Sequence, residues 1–85
     1  MKQFQYVIKD KLGMHARPAG LFVKEASSFS SAVKIEANGK EADGKRILSV
    51  MSLGIKQGNE VTVTVEGADE EDAAQKLEKF LKESV

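Results

Sequence analysis

Pro18 constrains this chain more than any other residue, because it is the sole proline and lies three positions after the sole histidine, His15. Its ring fixes φ, removes an N–H and disfavours helical geometry at Arg17, so it belongs in the first turn of a helix, where N–H groups have no intrahelical partner. His15 then stands at or just before a helix start. The unpaired N–H groups and the helix dipole make an anion site beside the imidazole, and Arg17 adds a permanent positive charge to the same turn. Gly13 permits a tight turn ahead of the histidine, and the small residues Ala16, Ala19 and Gly20 leave room for another molecule to approach. A lone histidine at a helix start reads first as a cap or a surface residue. This surrounding set turns the reading toward a nucleophile beside a phosphate cradle, which is what phosphoryl capture requires.

The remaining elements follow from periodicity. Phe4, Tyr6 and Ile8 alternate with Gln3, Gln5 and Val7, a half-buried strand ending at Lys9-Asp10-Lys11. In the helix opened by Pro18, Ala19, Phe22, Val23, Ala26 and Phe29 form the stripe that lies on a sheet. The opposite face carries Arg17, Gly20, Leu21, Lys24 and Ser28, which puts an exposed Leu21 between two cations on the side of the histidine. Val33, Ile35 and Ala37 predict a second strand, and Asn38-Gly39 predicts a type I′ turn into a short third strand at Lys40 to Ala42. Ile47 to Leu53 predicts a short helix ended by Gly54; five of its seven residues are apolar. A helix of two turns on one sheet face cannot hide them all, so with Val50 and Leu53 inward, Leu48 and Met51 are left at least partly exposed. A mixed Leu and Met surface suits several differently shaped partners. Val61, Val63 and Val65 alternate with Thr62, Thr64 and Glu66 as a central strand. Asp69 is expected to cap a last helix, with Glu70, Glu71 and Asp72 at its positive end and Ala73, Ala74, Leu77, Phe80 and Leu81 inward.

The order β-α-β-β-α-β-α, with connections too short for several crossovers, predicts an α+β fold: a four-stranded antiparallel sheet with three helices on one face. At 85 residues, positions 1–85 are read as a single domain. Thirteen basic residues balance thirteen acidic ones, and only four Phe and one Tyr are aromatic, so the chain carries neither a nucleic-acid footprint nor a polybasic membrane anchor. An RNA-binding module would show aromatics alternating along its strands and a basic excess. No cysteine and no apolar leader block in Met1 to Lys9 point to the cytoplasm and to no membrane insertion. One histidine and no cysteine leave no metal site, and no cofactor is expected.

From end to end the chain resembles the HPr family, the histidine-containing phosphocarriers of the bacterial phosphoenolpyruvate-dependent sugar phosphotransferase system. Gly13-Met14-His15-Ala16-Arg17-Pro18-Ala19 matches the family's phosphorylation signature residue for residue, and Ile47 to Gly54 matches the helix after its regulatory serine. The resemblance implies an open-faced β-sandwich and a carrier that is no enzyme. In such a carrier His15 takes a phosphoryl group on Nδ1 from enzyme I and passes it to sugar-specific enzyme IIA domains. It further implies that Ala16 and Arg17 hold the phosphate, that Leu21, Lys24, Ile47, Leu48, Met51 and Ser52 dock partners, and that the carrier is a monomer. Arg46 stands where many relatives from Gram-positive bacteria carry the regulatory serine, so kinase control at that position is not carried over. A paralogous phosphocarrier in nitrogen regulation or in a dihydroxyacetone kinase relay would share the same histidine motif. A small non-catalytic binding module is the remaining alternative on a scaffold of this kind.

Overall fold

A computed structural model describes residues 1–85. The elements are β1 (Lys2–Val7), α1 (Ala16–Ser27), β2 (Ala32–Ala37), β3 (Lys40–Asp43), α2 (Ile47–Met51), β4 (Glu60–Glu66) and α3 (Glu70–Ser84). They build one four-stranded sheet in the order β1-β4-β2-β3, and every neighbouring pair is antiparallel. Val61, Val63 and Val65 of the central β4 are fully buried, as are Val33 and Ile35 of β2, while Lys34, Glu36 and Gln5 point to the open face. Alternation thus sorts one apolar face under the helices from one polar face in water. The core is a single cluster of 20 buried residues, closed from the helix side by Ala19, Phe22 and Ala26 of α1, Val50 of α2 and Ala73, Leu77 and Leu81 of α3. Phe22 and Phe80 meet at 6.2 Å between ring centroids and 57° between planes, joining α1 to α3.

The antiparallel expectation holds, but not for the reason of short connections. β1 and β2 are parallel and so are β3 and β4, each pair separated by one inserted strand. Two connections therefore do cross over the sheet, one through α1 and one through α2. Because the pairs interlock, no two parallel strands ever touch. The Asn38-Gly39 turn is type I′, with φ of 54° and 77° at its two central residues. Its Asn38 amide also reaches across the molecule, donating to Leu53 O at 3.0 Å and Asn59 Oδ1 at 3.2 Å, which ties this hairpin to the loop before β4.

Three local expectations are corrected. β3 runs one residue further, to Asp43, paired with Lys34. α2 ends at Met51, because Leu53 N–H turns back to Val50 O in a three-residue step and Gly54 takes φ 62°. Leu53 is still buried, but from the turn. Asp69 holds the position before α3, yet its carboxylate caps nothing there. It accepts instead from the N–H groups of Ser30 and Ser31 and from the Ser31 hydroxyl. That anchorage pulls the carboxyl well below its ordinary range, from 3.8 to about 2, chiefly through the Ser31 hydroxyl and the Ser30 N–H.

Candidate functional site

His15 is the residue before α1, with extended backbone (φ −77°, ψ −178°) and a half-buried side chain. Its carbonyl accepts the first helical bond from Ala19 at 3.0 Å. Its imidazole makes no capping hydrogen bond, so the ring is left for other chemistry. Pro18 is the third helical residue and is buried, which anchors the first turn. Helix geometry leaves the Ala16 and Arg17 N–H groups without an intrahelical acceptor, and no loop carbonyl or side chain takes them. The first turn contains no acidic residue. Arg17 is exposed and belongs to none of the molecule's ion pairs, so a guanidinium and two N–H donors stand uncommitted beside the imidazole.

The loop that presents His15 is held from both sides. Asp10 accepts from Leu12 N–H through its side chain at 2.8 Å and from Gly13 N–H through its backbone at 2.9 Å. Met14 N–H donates to Ile55 O at 3.1 Å, and the Met14 side chain is buried. Gly13 has φ 67°, and a Cβ there would run into Ile55 O and come to 2.7 Å from Lys56 Cα. Only glycine meets both the left-handed backbone and the close approach. The Lys9 and Asp10 N–H groups donate to Val85 O at 2.6 and 2.8 Å, and Gln57 donates to Lys9 O at 3.1 Å.

Beside this turn α1 and α2 lie together, close enough that a Cβ on Gly20 would touch Ile47 Cδ1 at 3.5 Å. Their outer faces bring together Leu21, 49% exposed, Leu48, 82%, and Met51, 38%, with Ile47 between the helices. Lys24 is exposed on the same face of α1 and makes no ion pair. Ser52 is exposed at the end of α2, but its hydroxyl donates to Ser49 O at 2.6 Å, so it faces its own helix. Arg46 precedes α2 without capping it and lies 3.5 Å from Asp43 through Nε. One exposed residue was missed by periodicity: Leu12, on the tip of the His15 loop and 72% exposed. Its signal was a large aliphatic side chain in an otherwise polar connection.

Neither of the two principal recesses touches His15. One lies over β2 and β3 and is lined by Lys34, Glu41, Asp43 and Lys45, and the other lies between β1 and α3. Outside both, a half-buried histidine at a helix start can meet a group that another protein presents.

The model of the phosphotransferase-system HPr component phosphorylation site matches residues 2–83. The phosphocarrier protein HPr of Mycoplasma genitalium is 50% identical over 74 residues, which span 86% of this chain and 84% of that protein. A mycoplasmal histidine-containing phosphocarrier protein has the same fold, with a TM-score of 0.94, 41% identity and coverage of 98% of this chain and 94% of that one. An HPr dimer from Thermoanaerobacter tengcongensis aligns at a TM-score of 0.77 and 46% identity over 98% of this chain and 95% of that one. With a family match over nearly its whole length and relatives this similar, the chain belongs to the HPr phosphocarriers of the phosphotransferase system.

Proposed function

We propose that His15 is the phosphoryl-carrying residue, loaded by enzyme I and unloaded by enzyme IIA domains during sugar uptake. The observation that carries this reading is the imidazole at the α1 start, unused as a cap and flanked by two free N–H groups and the unpaired Arg17. In the loading step the Nδ1 lone pair attacks phosphorus in line. An N–P bond forms while the bond to the donor breaks, and its electron pair leaves with the donor. Charge gathers on the three equatorial phosphoryl oxygens, where Ala16 N–H, Arg17 N–H and the Arg17 guanidinium offer fixed positive poles. Unloading is the same displacement with an acceptor nucleophile in place of the imidazole.

The exposed apolar face of Leu21, Ile47, Leu48 and Met51, with Lys24 and the carbon end of Ser52, docks these partners in turn. In this reading the carrier works in the cytoplasm as a monomer. No helix is long and apolar enough to cross a membrane.

The test incubates the protein with phosphoenolpyruvate, Mg²⁺ and a cognate enzyme I, and reads intact mass before and after brief acid treatment. One acid-labile phosphoryl group is expected on the wild type and none on His15→Ala. An acid-stable adduct, or full loading of the variant, overturns the assignment.

A further inference from the structure

We propose that Leu12 is a second docking anchor for the enzyme that loads His15, carried on the loop before the histidine and separate from the α1–α2 face. The inference rests on His15 being the loaded residue.

Leu12 is 72% exposed, more than any other large apolar side chain except Leu48. No buried cluster of the molecule includes it, yet its backbone is held by hydrogen bonds. Its N–H is bound by the Asp10 carboxylate, and the next two residues are locked against Ile55 and Lys56. A rigid turn that points a leucine at solvent has already met the ordering cost that a mobile loop would meet on binding.

Position and charge name the occupant. Three residues of chain put the Leu12 and His15 Cα atoms within about 11 Å of each other. Leu21, six residues along α1 from His15, is about 9 Å away by helical rise. A partner burying about 800 Å² on this chain covers a disc of roughly 16 Å radius, so a footprint centred on His15 takes in both leucines. Around Leu12 the exposed Lys9, Lys11 and Lys56 make no ion pair, and the one carboxylate of the loop, Asp10, is half-buried and engaged by the Leu12 N–H. The matching surface is an apolar recess bordered by carboxylates next to the donor's phosphoryl group.

The experiment measures initial rates of loading by cognate enzyme I and phosphoenolpyruvate over a range of concentrations of this protein. Leu12→Ala, Leu12→Met and Leu48→Ala are compared with the wild type, and thermal melts are recorded for each. Leu12→Ala is expected to raise the half-saturating concentration about tenfold with the plateau rate and melting temperature kept, and Leu12→Met to restore wild-type behaviour. If Leu48→Ala weakens saturation and Leu12→Ala does not, the anchor is refuted while the carrier reading stands. A melting temperature lowered by Leu12→Ala refutes it too, since Leu12 would then be serving its own fold. Failure of the wild type to load at all overturns both the carrier reading and this one.

Discussion

Replacing Arg46 by serine is expected to make the protein more stable and to make it a kinase substrate at the same time. The stability part follows from the start of α2. Arg46 has extended backbone (φ −126°, ψ 115°), the conformation of a capping residue, but supplies no side-chain acceptor. The Ser49 N–H, third in the helix, takes no backbone or side-chain acceptor, and a serine hydroxyl at position 46 is aimed at it. Gaining that cap contributes about 1 kcal/mol. Removing a cation from the positive end of a helix adds about 0.3 to 1 kcal/mol. Against this stands the Arg46–Asp43 pair, 3.5 Å long with side chains 77% and 50% exposed, an interaction of about 0 to 1 kcal/mol. The net gain is about 1 kcal/mol, a rise in melting temperature of about 4 to 8 °C for a domain of this length. Calorimetry or circular dichroism at low and moderate salt measures it, and since salt screens both the Asp43 pair and the helix-end term, which oppose each other, the gain should change little with salt. An unchanged or lower melting temperature refutes the capping argument. In parallel, an HPr kinase with ATP should modify only the Arg46→Ser protein. Phosphate on Ser49 or Ser52 of the wild type would refute the claim that this carrier lacks that control.

Arg17→Ala should slow transfer about ten- to hundredfold even at saturating partner, because the guanidinium acts on charge that develops in the transition state; an effect on half-saturation alone would make Arg17 a docking residue. Gly13→Ala should cost about 2 to 4 kcal/mol, since it adds left-handed strain and forces the loop off Ile55, breaking the Met14 N–H bond. Its melting temperature and loading rate should fall together. Asp69 titrates below its unfolded value, so it stabilises the fold above about pH 4 and that contribution is lost as pH falls toward 2. The melting-temperature gap between wild type and Asp69→Asn should therefore be full at pH 6 and close between pH 4 and 2; a gap independent of pH would remove the carboxylate from the account.

The parts of this molecule that were legible in its sequence are those whose cause is local. Pro18 placed the start of α1 because one ring decides φ, and Asn38-Gly39 placed its hairpin because few other pairs accept two positive φ values. The exposed Leu48 and Met51 of α2 could be named in advance, since a short helix has one inward face. What escaped was set across distance. Asp69 looked like a cap from its neighbours, but the groups that captured it, at Ser30 and Ser31, come from 39 and 38 positions away. The interlocked crossovers could not be read from connection lengths, which do not say which strand is inserted between which. For the site, His15, Ala16 and Arg17 were legible as one turn, and Lys24, Leu21 and Met51 as faces of amphipathic helices. Ser52 is exposed as expected, but the bond from its hydroxyl to Ser49 O was not legible, because a hydroxyl near a helix end finds its own carbonyls first. Leu12 carried no periodicity and fell between elements.

That His15 lies outside both principal recesses has a consequence in time as well as in shape. On the carrier reading proposed above, a phosphoryl group on His15 would be open to water as well as to a partner while the carrier diffuses. Each charged molecule is then a message with a lifetime. The fraction that stays charged is set by how quickly donors load against how quickly acceptors and water drain, so the population of this protein keeps a running record of supply and demand.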